Sequence, residues 1–114
     1  MNVSSKYFTS KTIIINLSKG LENITLKRIS EVILETTGVD NDRIVSLYGP
    51  SHAEEVLLGY PTTLVAASSN ERSSKLIQQI FSSNILRVYS NKDIKGVELG
   101  GSLKNVIAIA AGIC

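Results

Sequence analysis

The sequence predicts an α/β protein built around a mostly parallel sheet. Two patterns carry that reading. Short β-prone apolar runs alternate along the chain with segments of helical spacing, and the joints between them fall on Gly, Pro, Ser or Asn. No linker, repeat or low-complexity stretch divides the 114 residues. They fit one unit able to bury roughly 65% of its unfolded surface.

Residues 12–17, Thr-Ile-Ile-Ile-Asn-Leu, form the continuous apolar run expected of a strand buried on both faces. Ser18-Lys19-Gly20 breaks it. Over 24–36, Ile24, Leu26, Ile29, Ile33 and Leu34 recur near helical spacing, and Gly38 supplies a stop. Residues 44–48 read as a second strand. Residues 51–58 read as a short helix capped by Ser51, with Glu54 three residues on completing a capping box. Thr62 to Ala67 opens after Pro61 as a third strand. Asn70 is placed to cap a helix reaching about Phe81, with Leu76, Ile77 and Ile80 on its buried face. Residues 85–89 give a fourth strand and 97–113 a long, mostly apolar helix, whose composition asks for burial all round.

Composition excludes several classes of function. Hydrophobic residues make up 43% and charged residues 19%, and the net charge of +2 comes from scattered basic residues. Neither a nucleic-acid surface nor a membrane surface is indicated. The longest nearly continuous apolar run, 106–113, is far short of a bilayer span of about 20 residues. No charged start leads into an apolar segment near Met1, so no secretory signal is read. The three sequons, at Asn2, Asn16 and Asn23, then count as chance matches. Cys114 is the sole cysteine, which forbids an internal disulfide and suits a reducing compartment. With one histidine and neither CxxC nor HExxH, a zinc site has no ligands to build from.

Three stretches could carry chemistry, because ligands of open α/β sheets sit outside the carboxyl ends of strands. Lys19-Gly20 follows the first strand and puts an ammonium at such an end, either as a solvated turn lysine or facing a ligand. Gly49-Pro50-Ser51 follows the second. There Gly49 admits a close neighbour for lack of a Cβ, and the helix start beyond offers free N–H groups. A plain strand-to-helix connection is the alternative, and His52 reads as a partly exposed first-turn residue rather than a base. The third stretch runs from Gly96 to Gly112. Lys104 has Gly100, Gly101, Ile107 and Ala108 at helical neighbour positions and no carboxylate among them. A lysine desolvated without a partner has a lowered pKa and can act as a base. The competing reading is a lysine snorkelling to the surface. Two adjacent glycines, costing a helix about 1 kcal/mol each, ask for a packing or functional reason.

The segments INLSKGLE (15–22), SLYGPSHAEEVLLGYPTTLVAAS (46–68) and RVYSNKDIKGVELGGSLKNVIAIAAGI (87–113) resemble, in order and spacing, the NAD(P)-dependent glycerol-3-phosphate dehydrogenases of bacterial and plastid type. The last block is the most specific, and the likeness runs from about Thr12 to Cys114. The resemblance implies the second half of a Rossmann-like cofactor-binding sheet over 1–92, followed by the first core helix of an α-helical substrate domain over 93–114. It implies interconversion of sn-glycerol 3-phosphate and dihydroxyacetone phosphate with NAD or NADP, supplying glycerol 3-phosphate for glycerophospholipid synthesis. A cytoplasmic or plastid-stromal enzyme is expected, with a small-molecule substrate, a homodimeric parent and no metal.

Carried over residue by residue, Lys104 matches the catalytic lysine that accepts the C2 hydroxyl proton and touches substrate. Lys19 matches a lysine contacting substrate and cofactor. Gly49 and Ser51 match the substrate-touching turn, and Ala53 a small cofactor-contacting position. The sequence departs from the family in lacking both the G-x-G-x-x-G turn that grips the pyrophosphate and the later Arg-Asn pair that holds the substrate phosphate. Residues 1–10 also carry no strand pattern, and the most apolar helix ends with nothing to cover it. The expectation is therefore an internal fragment, inactive by itself. A noncatalytic α/β interaction module with relic lysines is the alternative from a different class. A related 2-hydroxy-acid or sugar-acid dehydrogenase is a third reading, opposed by the G-P-S turn and the G-G-S-L-K-N block.

Overall fold

The computed structural model describes residues 5–113. The sequon at Asn2, the first four residues of the 1–10 stretch in which no strand is expected, and Cys114 lie outside the described residues. At the centre runs β2 (Ile44–Tyr48), every residue of which is buried, as an apolar run between two helical layers requires. The sheet order is β1 (Ile14–Asn16), β2, β3 (Thr62–Ala67), β4 (Leu86–Asn91). Pairs β1–β2 and β3–β4 are parallel, whereas β2–β3 is antiparallel, with Tyr48 opposite Val65.

The sheet is thus mostly parallel as expected, with one reversal that the alternating pattern does not announce. The helix between β2 and β3, α2 (Ala53–Leu57), has five residues. At 1.5 Å per residue it covers about 8 Å, too little to carry the chain back along a five-residue strand of about 16 Å. The chain therefore turns over and pairs antiparallel. Two real crossovers exist, through α1 (Ile29–Thr37) and α3 (Glu71–Phe81). In consequence β1 and β2 end at one edge of the sheet while β3 and β4 end at the other.

Side chains alternate across the sheet. Val45 and Leu47 point to one face and pack with Leu64, Ala66, Val88 and Ile77 of α3. Ile44 points to the other face, in a second cluster with Ile33 of α1, Ala67 and Ile94. Burying each of these aliphatic side chains contributes about 1.5–3 kcal/mol.

Several expectations are corrected in detail. β1 keeps three residues and stands at the sheet edge, so Ile13, Ile14 and Ile15 are only partly buried and Leu17 is exposed. The helix expected over 24–36 begins at Ile29. Ahead of it the chain closes a turn on Glu22, whose carboxylate accepts from Ile24 N, Thr25 N and Thr25 Oγ1, and Leu26 adopts a φ of 57°. Ile24 and Leu26 are accordingly exposed. Gly38 does stop α1, at a left-handed φ of 67°. Asn70 caps α3 through Arg72 N as expected, but the buried face is Ser73, Ser74 and Ile77. Two serines let this helix lie close to the sheet, and Leu76 and Ile80 stay outside. The last helix, α4 (Ile94–Ile113), begins three residues early because Asp93 Oδ1 accepts from Gly96 N. Only Ile94 and Glu98 of α4 are buried. By length and composition α4 could cross a membrane, yet its first two turns are packed on the sheet through those two residues.

Candidate functional site

Helix α4 starts beside β4's carboxyl end and runs along β2 toward the opposite edge. The two elements climb together. Ile94 packs near Ile44, the Glu98 carboxylate meets Ser46, Gly101 lies on the Tyr48 ring, and Lys104 reaches the level of Gly49. Ten helical residues rise about 15 Å and five strand residues about 16 Å, so the match in register is geometric. Along this seam the chemistry changes from aliphatic through a buried carboxylate to a phenol and finally to two lysines.

The two lysines, with Tyr48, Gly49, Gly100 and Gly101, line a cleft of about 260 Å³. It lies at the carboxyl edge of β1 and β2, where open α/β sheets place their ligands. Its size is just below the roughly 300–1,000 Å³ of typical small-molecule sites. Lys19 Nζ donates to Gly49 O at 2.9 Å. Partial burial, and then the neighbouring Lys104 ammonium, push the Lys19 pKa below the ordinary lysine value. Among the described residues neither lysine has a carboxylate partner. Two cations facing one cleft without a counter-ion suit an anionic ligand. Lys104 itself is exposed, so the desolvation expected there from its small neighbours falls on Lys19 instead.

The two helix glycines have different reasons. A Cβ on Gly101 would stand 2.6 Å from Tyr48 Cδ2, whereas one on Gly100 would meet nothing within 4 Å and would project into open space. At Gly49 a Cβ would lie 2.4 Å from Thr63 O. The close neighbour that this glycine admits is therefore the β3 backbone. Ser51 and Ala53 stand beyond the turn and do not line the cleft. Ala53 shares a separate hollow with His52, Glu54 and Glu55. The capping box expected at Ser51 and Glu54 does not form. His52 is the N-cap, without a side-chain bond, and Ser51 N donates to Gly49 O at 2.9 Å. The turn closes on its own backbone, which leaves the Ser51 hydroxyl no capping role.

Residues that the sequence did not single out complete the site. Asn16 Nδ2 donates to Tyr48 Oη at 2.9 Å, Asn16 Oδ1 accepts from Ser18 N, and Tyr48 Oη donates to Ser18 O. This network fixes the loop that carries Lys19. Burial and the negative Glu98 raise the Tyr48 pKa above 10.0, so the phenol stays a neutral donor. Glu98, only 1% exposed, accepts four hydrogen bonds. Oε1 takes Ser30 N at 3.1 Å and Ser46 Oγ at 2.9 Å, and Oε2 takes Ser30 Oγ at 2.6 Å and Arg28 Nη1 at 3.0 Å. Arg28 is held in turn by Glu31 at 2.7 Å. Breaking such a buried pair costs roughly 3–5 kcal/mol. By spacing Glu98 passes for a solvated charge, with Lys95 three residues before it; only the fold brings Arg28, Ser30 and Ser46 to it.

Comparison with known proteins agrees with this fold. Residues 1–74 match the family model for the NAD-dependent glycerol-3-phosphate dehydrogenase N-terminus, and residues 93–114 match that for its C-terminus. Over 105 residues the chain is 54% identical to the NAD(P)+ glycerol-3-phosphate dehydrogenase of Staphylococcus haemolyticus, covering 91% of this chain and 32% of that protein. It is 58% identical over 102 residues to the enzyme of the same name from Prosthecochloris aestuarii, covering 89% of this chain and 31% of that one. The crystal structure of the Coxiella burnetii glycerol-3-phosphate dehydrogenase superposes with a TM-score of 0.81 at 36% identity, over 98% of this chain and 34% of that one. The chain thus spans about a third of the length of the relatives it matches. With a family match over 74 of its residues and the same fold, this chain belongs to the NAD-dependent glycerol-3-phosphate dehydrogenase family.

Proposed function

We propose that these residues form the substrate-side segment of a dehydrogenase interconverting sn-glycerol 3-phosphate and dihydroxyacetone phosphate with NAD(P). The division into a partial cofactor sheet over 1–92 and the start of the substrate domain over 93–114 belongs to the same proposal. The observation that carries it is the delivery of Lys104, by a helix starting at the far edge of the sheet, to the cleft of Lys19 and Gly49. A neutral Lys104 amine takes the proton of the substrate's C2 hydroxyl as the alcohol becomes a ketone, and returns it in the reverse direction. Lys19, tied to Gly49 O, supplies positive charge toward the bound anion.

The bound nicotinamide supplies the hydride chemistry. The donor set fits one end of that cofactor. Lys19, which lines the cleft, would touch the nicotinamide side and Gly49 the substrate, whereas Ala53 and Ser51, which the resemblance matches to cofactor and substrate contacts, stand outside this cleft, and no glycine-rich pyrophosphate grip stands among these residues. The test is Lys104→Met in a full-length dehydrogenase carrying this segment. It is expected to lower kcat on the order of 100-fold or more, with fold and cofactor affinity retained. Turnover within a few-fold of the parent would remove Lys104 from the base role.

A further inference from the structure

We infer that Glu98 is a positioning residue, whose seat on the sheet sets the placement of α4 and so holds Lys104 against Lys19 and Gly49. The inference rests on the reading of Lys104 as the base. Helix α4 has few other anchors. Ile94 is its only buried aliphatic residue, and the contacts Ile94 makes are non-directional, so by themselves they tolerate sliding. Gly101 sets how closely the helix approaches Tyr48 through a contact without a hydrogen bond, and from Leu103 onward every described residue of α4 is exposed.

The Glu98 carboxylate supplies the missing direction. Its donors come from two elements: Arg28 and Ser30 at the start of α1, and Ser46 on β2. Donors on both sides define the position of Glu98 across the sheet as well as along β2. Lys104 follows six residues later, about 9 Å along the axis, so a slip at Glu98 is passed on nearly undiminished. Misplacing a reacting group by about 1 Å can cost on the order of 100-fold in rate. Glu98 does not line the cleft itself and acts through the helix.

The experiment measures kcat and KM in the full-length dehydrogenase carrying this segment, per folded molecule and well below each variant's Tm. Glu98→Gln keeps the shape but turns an NH2 group toward two of its four donors and removes the charge facing Arg28. It is expected to lower kcat ten- to hundredfold while the KM for nicotinamide cofactor stays within twofold. Ser46→Ala removes a single donor and should lower kcat two- to fivefold, which keeps the test open should Glu98→Gln fail to fold. Ile77→Ala, in the cluster on the opposite face, should lower Tm and leave kcat per folded molecule within twofold. If Glu98→Gln and Ser46→Ala both keep parental kcat while Lys104→Met abolishes turnover, the positioning role is overturned and the base assignment stands. If Lys104→Met keeps turnover, the base assignment falls and the positioning role falls with it. A drop in kcat for Ile77→Ala as large as that for Glu98→Gln would reduce Glu98 to a purely structural residue.

Discussion

Gly100 and Gly101 are adjacent in sequence and opposite in consequence. A methyl group at Gly101 must displace the Tyr48 ring, which Asn16 and Ser18 hold through its hydroxyl, so Gly101→Ala should lose about 1–3 kcal/mol of stability. At Gly100 the same methyl meets nothing, and the helix gains roughly 0.4–1 kcal/mol from the lost freedom of the unfolded glycine. Gly100→Ala should therefore raise Tm while narrowing the cleft that this residue lines, with a higher KM for triose phosphate. Thermal melts and initial rates on both variants of a full-length dehydrogenase carrying this segment check the pair, and equal destabilisation would refute the packing account. The sequence marked both glycines as requiring a reason, since two in one helix are costly, but could not divide the reason between them. Tyr48 is 53 residues before Gly101, and no local pattern links them. The same holds for Glu98, whose donors lie 52 to 70 residues away. Lys19, Gly49 and Lys104 stand out as candidates in the sequence because each lies at a strand end or on a helix without a local partner, and the structure brings the three to one cleft.

Among the elements, α2 is where periodicity and capping rules misled most. Ser51 and Glu54 have the right spacing for a capping box, but the turn closes through Ser51 N on Gly49 O and the helix starts two residues later. Ser51→Ala should then change stability by no more than about 0.5 kcal/mol, in place of the roughly 1 kcal/mol a lost cap costs. In a full-length dehydrogenase carrying this segment, a raised KM with unchanged Tm would assign Ser51 to substrate, whereas a Tm loss of cap size would restore the capping role. The bounds of β2 and β3 follow the sequence to the residue, because β2 is an apolar run buried throughout and β3 is bounded by Pro61 and by the Ser68-Ser69-Asn70 break. α1 starts five residues later than its spacing suggests, because Ile24 and Leu26 keep helical spacing inside a turn organised by Glu22. The start of α3 is clamped electrostatically. Glu71 bridges Lys75 at 2.7 Å and Lys92 at 2.8 Å, which lowers its pKa from 4.5 to about 2. A carboxylate depressed in the folded state adds stability above its unfolded value, lost as pH falls from about 4.5 to about 2. Glu71→Gln should flatten the stability-versus-pH curve in that window. Added salt should shrink the difference from the parent, because Glu71, Lys75 and Lys92 are solvent-accessible. Parallel curves for parent and variant would show that the clamp has no thermodynamic weight.

For the molecule as a whole, the described residues hold two surfaces that ask for partners. β1 stands at the edge of the sheet with only three residues, and α4 exposes Leu99, Leu103, Val106, Ile107, Ile109 and Ile113. An apolar face of that extent on a small domain drives association. The cleft offers two lysines and an open turn, but residues 1–114 contain no G-x-G-x-x-G to seat a pyrophosphate on backbone N–H groups. The arginine expected from the family resemblance to hold the substrate phosphate also has no counterpart. Two exposed ammonium groups alone, screened by water and salt, give weak anion binding. A purified polypeptide of residues 1–114 should therefore show no measurable reduction of dihydroxyacetone phosphate with NADH or NADPH, and cofactor binding weaker than millimolar. In sedimentation it should run as a concentration-dependent associating species, and Val106→Lys together with Ile109→Glu should shift it toward monomer. Calorimetric titration with both cofactors, rate assays and sedimentation on one preparation decide the matter. Clear turnover, or low-micromolar cofactor binding by a monomer, would show that Lys19, the Gly49 turn and Lys104 suffice without either anion grip.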